Sequence, residues 1–165
     1  MLKEMKVAGI TVDPFTNTPI VILKDLEEKD VLPIWIGLLE ASSIATAIEN
    51  IQTPRPMTHD LLKNILDALG IKVIKIEVND LRDNTYFALI HFDVNKKRLV
   101  IDARPSDAIA LALRTGASIF VEESVIQKSA KVDLTQKGDK VVTDTVEWEE
   151  ILENLNPDDF GKYKM

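Results

Sequence analysis

The stretch RLVIDARPSDAIALALR, residues 98–114, decides the fold prediction because it passes from a strand to a helix through a short polar turn. Its apolar beginning predicts a strand at Arg98–Ile101. Pro105 suits the first turn of a helix, and Gly116 is typical of the residue just past a helix end. We therefore predict a strand, a turn and a helix that runs from about Pro105 to Arg114.

The same order of elements occurs earlier in the chain, and in both places two further strands precede it. The motif Glu40-Ala41-x-x-Ile44-Ala45 matches Asp107-Ala108-x-x-Leu111-Ala112 at a constant offset of 67, which is 107 minus 40. The predicted elements are the strands Met5–Val12, Ile20–Leu23 and Val31–Ile36, the helix Leu38–Ile51, the strands Lys72–Val78, Thr85–Phe92 and Arg98–Ile101, and the helix Pro105–Arg114. The sequence thus predicts an α+β fold in which mixed or antiparallel sheets carry packed helices and a β-β-β-α unit is duplicated.

A further helix is predicted between the two halves, and a short strand, Ser118–Val121, after the second. Thr58 suits the N-cap of this middle helix, and Gly70 suits the position that ends it. The helical spacing of its apolar residues predicts a buried face. That face consists of Leu61, Leu62, Ile65, Leu66 and Leu69.

The chain is predicted to form a main domain, residues 1–127, followed by an acidic appendage, residues 128–165. Residues 122–165 hold eleven Asp and Glu against six Lys and Arg, a net charge of −5 out of the total of −7. The rest of the chain is therefore near neutral, which leaves room for a local basic patch. The appendage is expected to be a loop followed by a short helix at Val146–Leu155.

The composition indicates a globular protein of a reducing compartment. Hydrophobic residues make up 45% of the chain, and there is no cysteine, which excludes disulfides and thiolate chemistry. No apolar run approaches the roughly 20 residues that span a bilayer, and the N-terminus lacks the apolar core of a signal peptide. We expect a cytoplasmic protein that does not enter the membrane.

Two polar segments could carry chemistry, and the first is Pro54–Asp60. The prolines restrict the backbone around Arg55 and would present its guanidinium with little entropy to lose. His59, beside Asp60 at a helix start, could act as a general base or a metal ligand. An exposed histidine can equally be inert, and the helix dipole alone would account for Asp60.

The second polar segment is Asp102–Asp107, which opens the second helix of the repeat. Asp102 and Asp107 could converge on a divalent cation, or they could form ion pairs with Arg104 and Arg114. Either Arg104 or Ser106 could cap this helix. The repeat relates Asp107 to Glu40, although the helix dipole also favours an acid at both positions.

Several familiar catalytic motifs are missing from the sequence. There is no Walker-type phosphate loop, no dinucleotide Gly-x-Gly-x-x-Gly and no Gly-x-Ser-x-Gly elbow. With only two histidines, zinc catalysis is disfavoured, and any hydrolytic metal would need carboxylate ligands, which suit Mg²⁺ or Mn²⁺.

Four ordered motifs resemble the bifunctional nuclease domain family of bacterial and plant proteins. They are Asp13-Pro14 through Asn17-Thr18-Pro19-Ile20-Val21, Leu32-Pro33-Ile34-Trp35-Ile36-Gly37 with Glu40-Ala41, Arg55-Pro56-Met57-Thr58-His59-Asp60-Leu61-Leu62, and Asp102-Ala103-Arg104-Pro105-Ser106-Asp107-Ala108-Ile109-Ala110-Leu111-Ala112. The resemblance covers roughly residues 5–127 and is that of a short bacterial or thermophile member. It implies nuclease activity on both DNA and RNA.

Together these observations give the hypothesis of a metal-assisted phosphodiesterase acting on nucleic acid. The expected ligands of a Mg²⁺ or Mn²⁺ ion are Glu40, Asp102 and Asp107. The expected catalytic residues are His59, Asp60, Asp102 and Asp107. The residues expected to bind the substrate phosphate are Arg55, Arg104, Arg114 and Ser106.

The alternative is a non-catalytic binding or assembly module that forms a homodimer. In that case the arginines and helix N-termini would form an anion site, or the apolar strands would form the homodimer interface. The carboxylates would then only neutralise neighbouring arginines. A homodimer is expected in either case.

Overall fold

The structure, a computed structural model, describes residues 1–133, which form one seven-stranded sheet and four helices. The elements are β1 (Leu2–Val12), β2 (Pro19–Asp25), β3 (Val31–Trp35), α1 (Leu38–Ile48), α2 (Thr58–Ala68), β4 (Lys72–Arg82), β5 (Thr85–Val94), β6 (Lys97–Ala103), α3 (Pro105–Thr115), β7 (Ser118–Glu122) and α4 (Glu123–Asp133). The helix predicted at Val146–Leu155 lies outside the described residues.

The strands follow the order β3-β2-β1-β7-β4-β5-β6 across the sheet. All neighbours are antiparallel except β4 and β7, which are parallel. Two three-strand meanders, β1–β3 and β4–β6, are therefore joined through β7. This mixed sheet with packed helices confirms the predicted α+β fold.

The internal repeat is visible in the packing of α1 against α3. Each pair of matched apolar positions is buried in both copies, because both helices turn the same stripe towards a common core. These pairs are Ala41 with Ala108, Ile44 with Leu111, and Ala45 with Ala112. The helix starts correspond as well, since Leu38 and Pro105 are also 67 positions apart.

The register of the strands defines which face of the sheet is the core. Met5, Ile119, Ile76 and Ile90 are successive partners across four strands, and all four are buried. Ile109 of α3 belongs to the same hydrophobic cluster, so α3 covers this face. Because side chains alternate along a strand, the residues between these positions point to the opposite face.

Two helix ends agree with the predictions from the sequence, and two differ from them. Gly70 and Gly116 both adopt positive φ, 68° and 73°, as expected where an αL residue ends a helix. The predicted N-cap Thr58 is wrong, because Met57 holds that position and Thr58 is already helical. The helix predicted to reach residue 51 ends at Ile48.

The prediction that α2 buries all five apolar residues of its stripe is wrong. Only Leu66 is buried, at 8% exposure, whereas Leu61, Ile65 and Leu69 are 53%, 46% and 68% exposed. The reason is that α2 packs against α3 and not on the sheet, so a single edge of the helix reaches the core. An apolar stripe therefore remains on the surface of the described chain.

Helix α4 is an element that the sequence does not predict, and it runs through position 127, where the predicted main domain ends. Val125 of this helix is fully buried, and Ser129 lies 3.1 Å from the hydroxyl of Tyr86 on β5. None of the helices within residues 1–133 has both the length and the apolar character needed to cross a bilayer.

Candidate functional site

The centre of the site is the guanidinium of Arg104, which two helix starts hold from opposite sides. Arg104 is the N-cap residue of α3, which settles the choice between Arg104 and Ser106. Its Nη1 donates to Glu40 Oε1 of α1 at 2.9 Å, and its Nε donates to Asp107 Oδ2 of α3 at 2.9 Å. A further bond of 3.2 Å joins Nη2 to Asp107 Oδ1. The two acids that the repeat relates therefore meet on one arginine.

The imidazole of His59 joins this centre from the first turn of α2. Its Nε2 lies 2.9 Å from Asp107 Oδ1, and its Nδ1 lies 2.6 Å from the hydroxyl of Ser43 on α1. The ring is largely buried, whereas Arg104 is 48% exposed. Three helices thus bring a serine, a histidine and an aspartate into one chain of hydrogen bonds beside a solvent-facing arginine.

Asp107 is ionised across the physiological range. The hydrogen bond from His59, followed by those from Arg104, lowers the pKa of Asp107 from 3.8 to about 2, against the opposing effect of its partial burial. An ionised carboxylate can only accept, so Nε2 of His59 carries a proton and donates it. In the neutral imidazole Nδ1 is then the acceptor, and Ser43 donates its hydroxyl hydrogen to it.

Asp60 and Arg114 form a second ion pair, next to His59 and Ser43. Arg114 Nε donates to Asp60 Oδ1 at 2.7 Å, and its Nη2 donates to the carbonyl of Ser43 at 3.0 Å. Arg114 is only 8% exposed, so it is placed to fix α1 and α2 and not to meet a ligand. The bond to Arg114 is the main cause of the lowered pKa of Asp60, which also accepts from the backbone N–H of Met57 at 3.0 Å.

Asp102 is not brought to this centre. Asp102 pairs with Leu89, which in turn pairs with Glu77 on the next strand. These three residues are offset by one position from the buried partners Ile76 and Ile90. Since α3 covers these buried partners, Asp102 faces the opposite side of the sheet. The strand that precedes Asp102, β6, is an exposed edge strand of the sheet.

Arg55 and Ser106 differ in their access to solvent. Arg55 is exposed in the segment before α2, and within residues 1–133 its guanidinium has no hydrogen bond or ion pair; only its carbonyl is bonded, to the hydroxyl of Thr53 at 2.6 Å. Ser106 is buried, which disfavours direct contact with a substrate.

The predicted metal ligands do not form a cation site in this arrangement. Glu40 and Asp107 are both committed to Arg104, and Asp102 lies on the other face of the sheet. Across residues 1–133 there is no group of three His, Cys, Asp or Glu side chains arranged to hold a metal ion. The donor set described here therefore does not fit Mg²⁺ or Mn²⁺, which need several oxygen ligands.

The site residues predicted from the sequence include neither Ser43 nor Gly37. Ser43 follows Glu40 by three residues and therefore lies on the same side of α1, which is the one signal that could have found it. At Gly37, an added Cβ would collide with Glu40 Oε2. Because the φ of Gly37 is −74°, a larger residue there would displace the Glu40 carboxylate and would not strain the backbone.

The family model of the bifunctional nuclease domain matches residues 21–133. An uncharacterized protein of Mycobacterium tuberculosis is 38% identical over 162 residues, which cover 95% of this chain and 97% of that protein. Bifunctional nuclease 1 of Arabidopsis thaliana is 32% identical over 110 residues, and bifunctional nuclease 2 of Oryza sativa subsp. japonica is 29% identical over 97 residues.

The matches to the plant proteins are partial. They cover 64% and 57% of this chain but only 34% and 30% of the Arabidopsis and rice proteins. The match of the family model includes α1, α2 and α3. It therefore contains every residue of the Arg104 centre, which consists of Glu40, Ser43, His59, Arg104 and Asp107. The chain belongs to the bifunctional nuclease domain family.

Proposed function

We propose that this protein is a nuclease that hydrolyses phosphodiester bonds of DNA and RNA at the Arg104 centre. The observation that carries the proposal is the placement of His59 between the ionised Asp107 and a hydroxyl group, next to an arginine open to solvent. The names of the plant relatives, bifunctional nucleases, support the same reaction. We propose a cytoplasmic location, which suits a chain without cysteine.

Arg104 is the proposed phosphate ligand. A guanidinium has five N–H groups, and three of them serve Glu40 and Asp107, which leaves two for phosphate oxygens. Arginine binds phosphate bidentately and stabilises the negative charge that develops on the phosphate oxygens in the transition state. Arg55 is exposed and would hold a neighbouring phosphate of the strand. Arg114 and Ser106 are buried, so we give them no contact with the substrate.

His59 is the proposed general base. It takes a proton from the attacking hydroxyl at Nδ1, while Asp107 accepts the hydrogen bond at Nε2 and stabilises the imidazolium that forms. Asp60 holds Arg114 and the start of α2, and thereby positions His59 without touching the substrate.

The expectation of a divalent cation is a separate proposal that an assay can decide. Glu40 and Asp107 already bind Arg104, and a cation would have to compete with that guanidinium for the same oxygens. No step of the proposed reaction therefore passes through a metal ion. Arg104 supplies the positive charge instead.

The test uses single-stranded DNA and RNA and a matched pair of variants. Asp107→Asn should lower the cleavage rate by about a hundredfold or more, because the histidine loses its charged partner. Asp102→Asn, the same substitution on the opposite face of the sheet, should change the rate less than twofold.

The matched variant also controls for a contaminating nuclease. Equal activity of wild type, Asp107→Asn and Asp102→Asn, all purified in parallel, would locate the cleavage outside this site. A folded wild-type protein that cleaves neither substrate would remove the nuclease proposal.

A second candidate, an assembly module that pairs with another copy of itself, is favoured by the exposed stripe of α2. Leu61, Ile65 and Leu69 recur at four-residue spacing and form one continuous apolar line on the surface. Contiguous exposed apolar surface of this kind marks interaction sites. We propose that a second copy covers this stripe in a homodimer, and this is compatible with the nuclease proposal.

A further inference from the structure

We propose that Ser43 is the nucleophile of the reaction and that its Oγ forms a covalent bond to the phosphorus of the substrate. This inference rests on the proposed nuclease function and adds a phosphoseryl intermediate to it. Neither the family match nor the sequence motifs point to Ser43.

Ser43, His59 and Asp107 lie in the order of a catalytic triad. Ser43 Oγ lies 2.6 Å from one nitrogen of His59, and Asp107 Oδ1 lies 2.9 Å from the other. A hydroxyl bonded to a base that a third group orients is the arrangement by which proteins activate serine. Here the aspartate holds Nε2 and the serine faces Nδ1, so Nδ1 is the nitrogen that takes the proton.

The hydroxyl of Ser43 is turned away from its own helix. Helical serine and threonine commonly bond the carbonyl one turn back, as Thr46 and Thr115 do at 3.0 and 2.9 Å. Ser43 instead reaches across to α2. Its carbonyl accepts from Arg114 and from Thr46, both at 3.0 Å, and these bonds fix the residue in place.

Both ring nitrogens of His59 already have hydrogen-bond partners. A water molecule can lose a proton to His59 only if it first displaces Ser43 from Nδ1 or Asp107 from Nε2. Among the described residues, the hydroxyl already in place for deprotonation is that of Ser43. Arg104 is bonded to the same aspartate and is the residue proposed to bind the phosphate.

The reaction balances in two displacements. Oγ attacks phosphorus, its proton moves to His59 Nδ1, and the bond from phosphorus to the leaving sugar oxygen breaks with its electron pair. His59 then passes the proton to that oxygen. In the second displacement water attacks phosphorus and gives a proton to His59, and the phosphorus–Oγ bond breaks as Oγ recovers the proton. The net change is a phosphodiester plus water to a phosphomonoester plus an alcohol.

The stereochemical course separates this inference from the nuclease proposal. An oligonucleotide with one phosphorothioate of known configuration is cleaved in ¹⁸O-labelled water. Two displacements retain the configuration at phosphorus, whereas direct attack by water inverts it. Cleavage with inversion would overturn the role of Ser43 and leave the nuclease proposal standing.

A second readout does not depend on cleavage. A fluorophosphonate probe should add to Ser43, detected by intact mass and located by peptide mapping. Ser42→Ala, on the same helix, should keep the adduct. Ser43→Ala and His59→Ala should lose it by tenfold or more while circular dichroism shows the same fold, since alanine favours a helix.

The remaining outcomes are decisive in the same way. A wild-type protein that cleaves nothing but is labelled at Ser43 would support the nucleophile and remove the nuclease. A folded protein that is not labelled at Ser43 and does not cleave with retention would overturn this inference.

Discussion

Glu40 and Asp107, 67 positions apart in the chain, hold the same guanidinium, Arg104, through bonds of 2.9 Å to Nη1 and to Nε. They are equivalent positions of the repeat, each in the first turn of its helix. Arg104 is itself equivalent to Gly37, since 104 minus 67 is 37, and both residues are N-caps. The repeat thus provides two acids but one arginine, and the two halves form a single site.

We expect Gly37→Ala to release Arg104 from Glu40. The added Cβ collides with the flexible end of Glu40, so the carboxylate moves while the backbone stays. The loss should be up to about 1 kcal/mol of unfolding free energy, the usual range for a partly exposed pair.

A double-mutant cycle checks this route. In a Glu40→Ala background Gly37→Ala should cost almost nothing, because the colliding atoms are gone. An equal cost in both backgrounds would show that Gly37 acts through another contact.

Asp107→Asn should destabilise the protein at neutral pH but not in acid. The pKa of Asp107 is lowered in the folded state, so the stabilisation is complete above its ordinary value of 3.8 and is lost as the pH falls through about 2. Urea unfolding from pH 7 to pH 2 should show a difference in unfolding free energy between wild type and variant that is constant above about pH 5, narrows below about pH 4 and is mostly lost at pH 2.

The contribution of His59 can be separated in the same series. His59 is the main cause of the shift, so a His59→Ala background should narrow the gap. A gap that does not change with pH would contradict the ion pair.

The apolar stripe of α2 predicts a dimer whose contacts can be removed without unfolding the chain. Light scattering should give twice the chain mass of 18.5 kDa for wild type and the monomer mass for Ile65→Glu with Leu69→Glu. Because both residues are exposed, the free energy of unfolding should fall by less than about 1 kcal/mol in the monomer.

Leu66→Ala is the matched control on the same helix. Leu66 is buried, so its truncation should cost about 2–5 kcal/mol. A monomeric wild-type protein would exclude the proposed role of the stripe.

Cleavage should continue when metal ions are removed with EDTA. The reason is that Arg104 already engages Glu40 and Asp107, the carboxylates that a cation would need. If EDTA abolishes cleavage and Mg²⁺ or Mn²⁺ restores it, the metal site predicted from the sequence is favoured. That result would contradict the proposed reaction without a metal ion.

The sequence by itself determined the strands, the first three helices, the repeat and the family. These depend on local periodicity, on glycines such as Gly70 and Gly116, and on residue order, all of which are properties of neighbouring positions. It also identified His59, Arg104, Asp107 and Glu40 as candidates, because acids and bases at helix starts are visible in the chain.

Only the tertiary structure decided which of these side chains meet. The alternation of β6 places Asp102 on one face or the other, and the choice depends on where α3 packs. An amphipathic pattern such as that of α2 shows that one face is apolar but not what covers it. Ser43 of α1 contacts His59 of α2, and a serine inside a helix carries no local signal of such a contact. Long-range packing fixes these relationships, because they depend on distances between elements that the sequence does not encode locally.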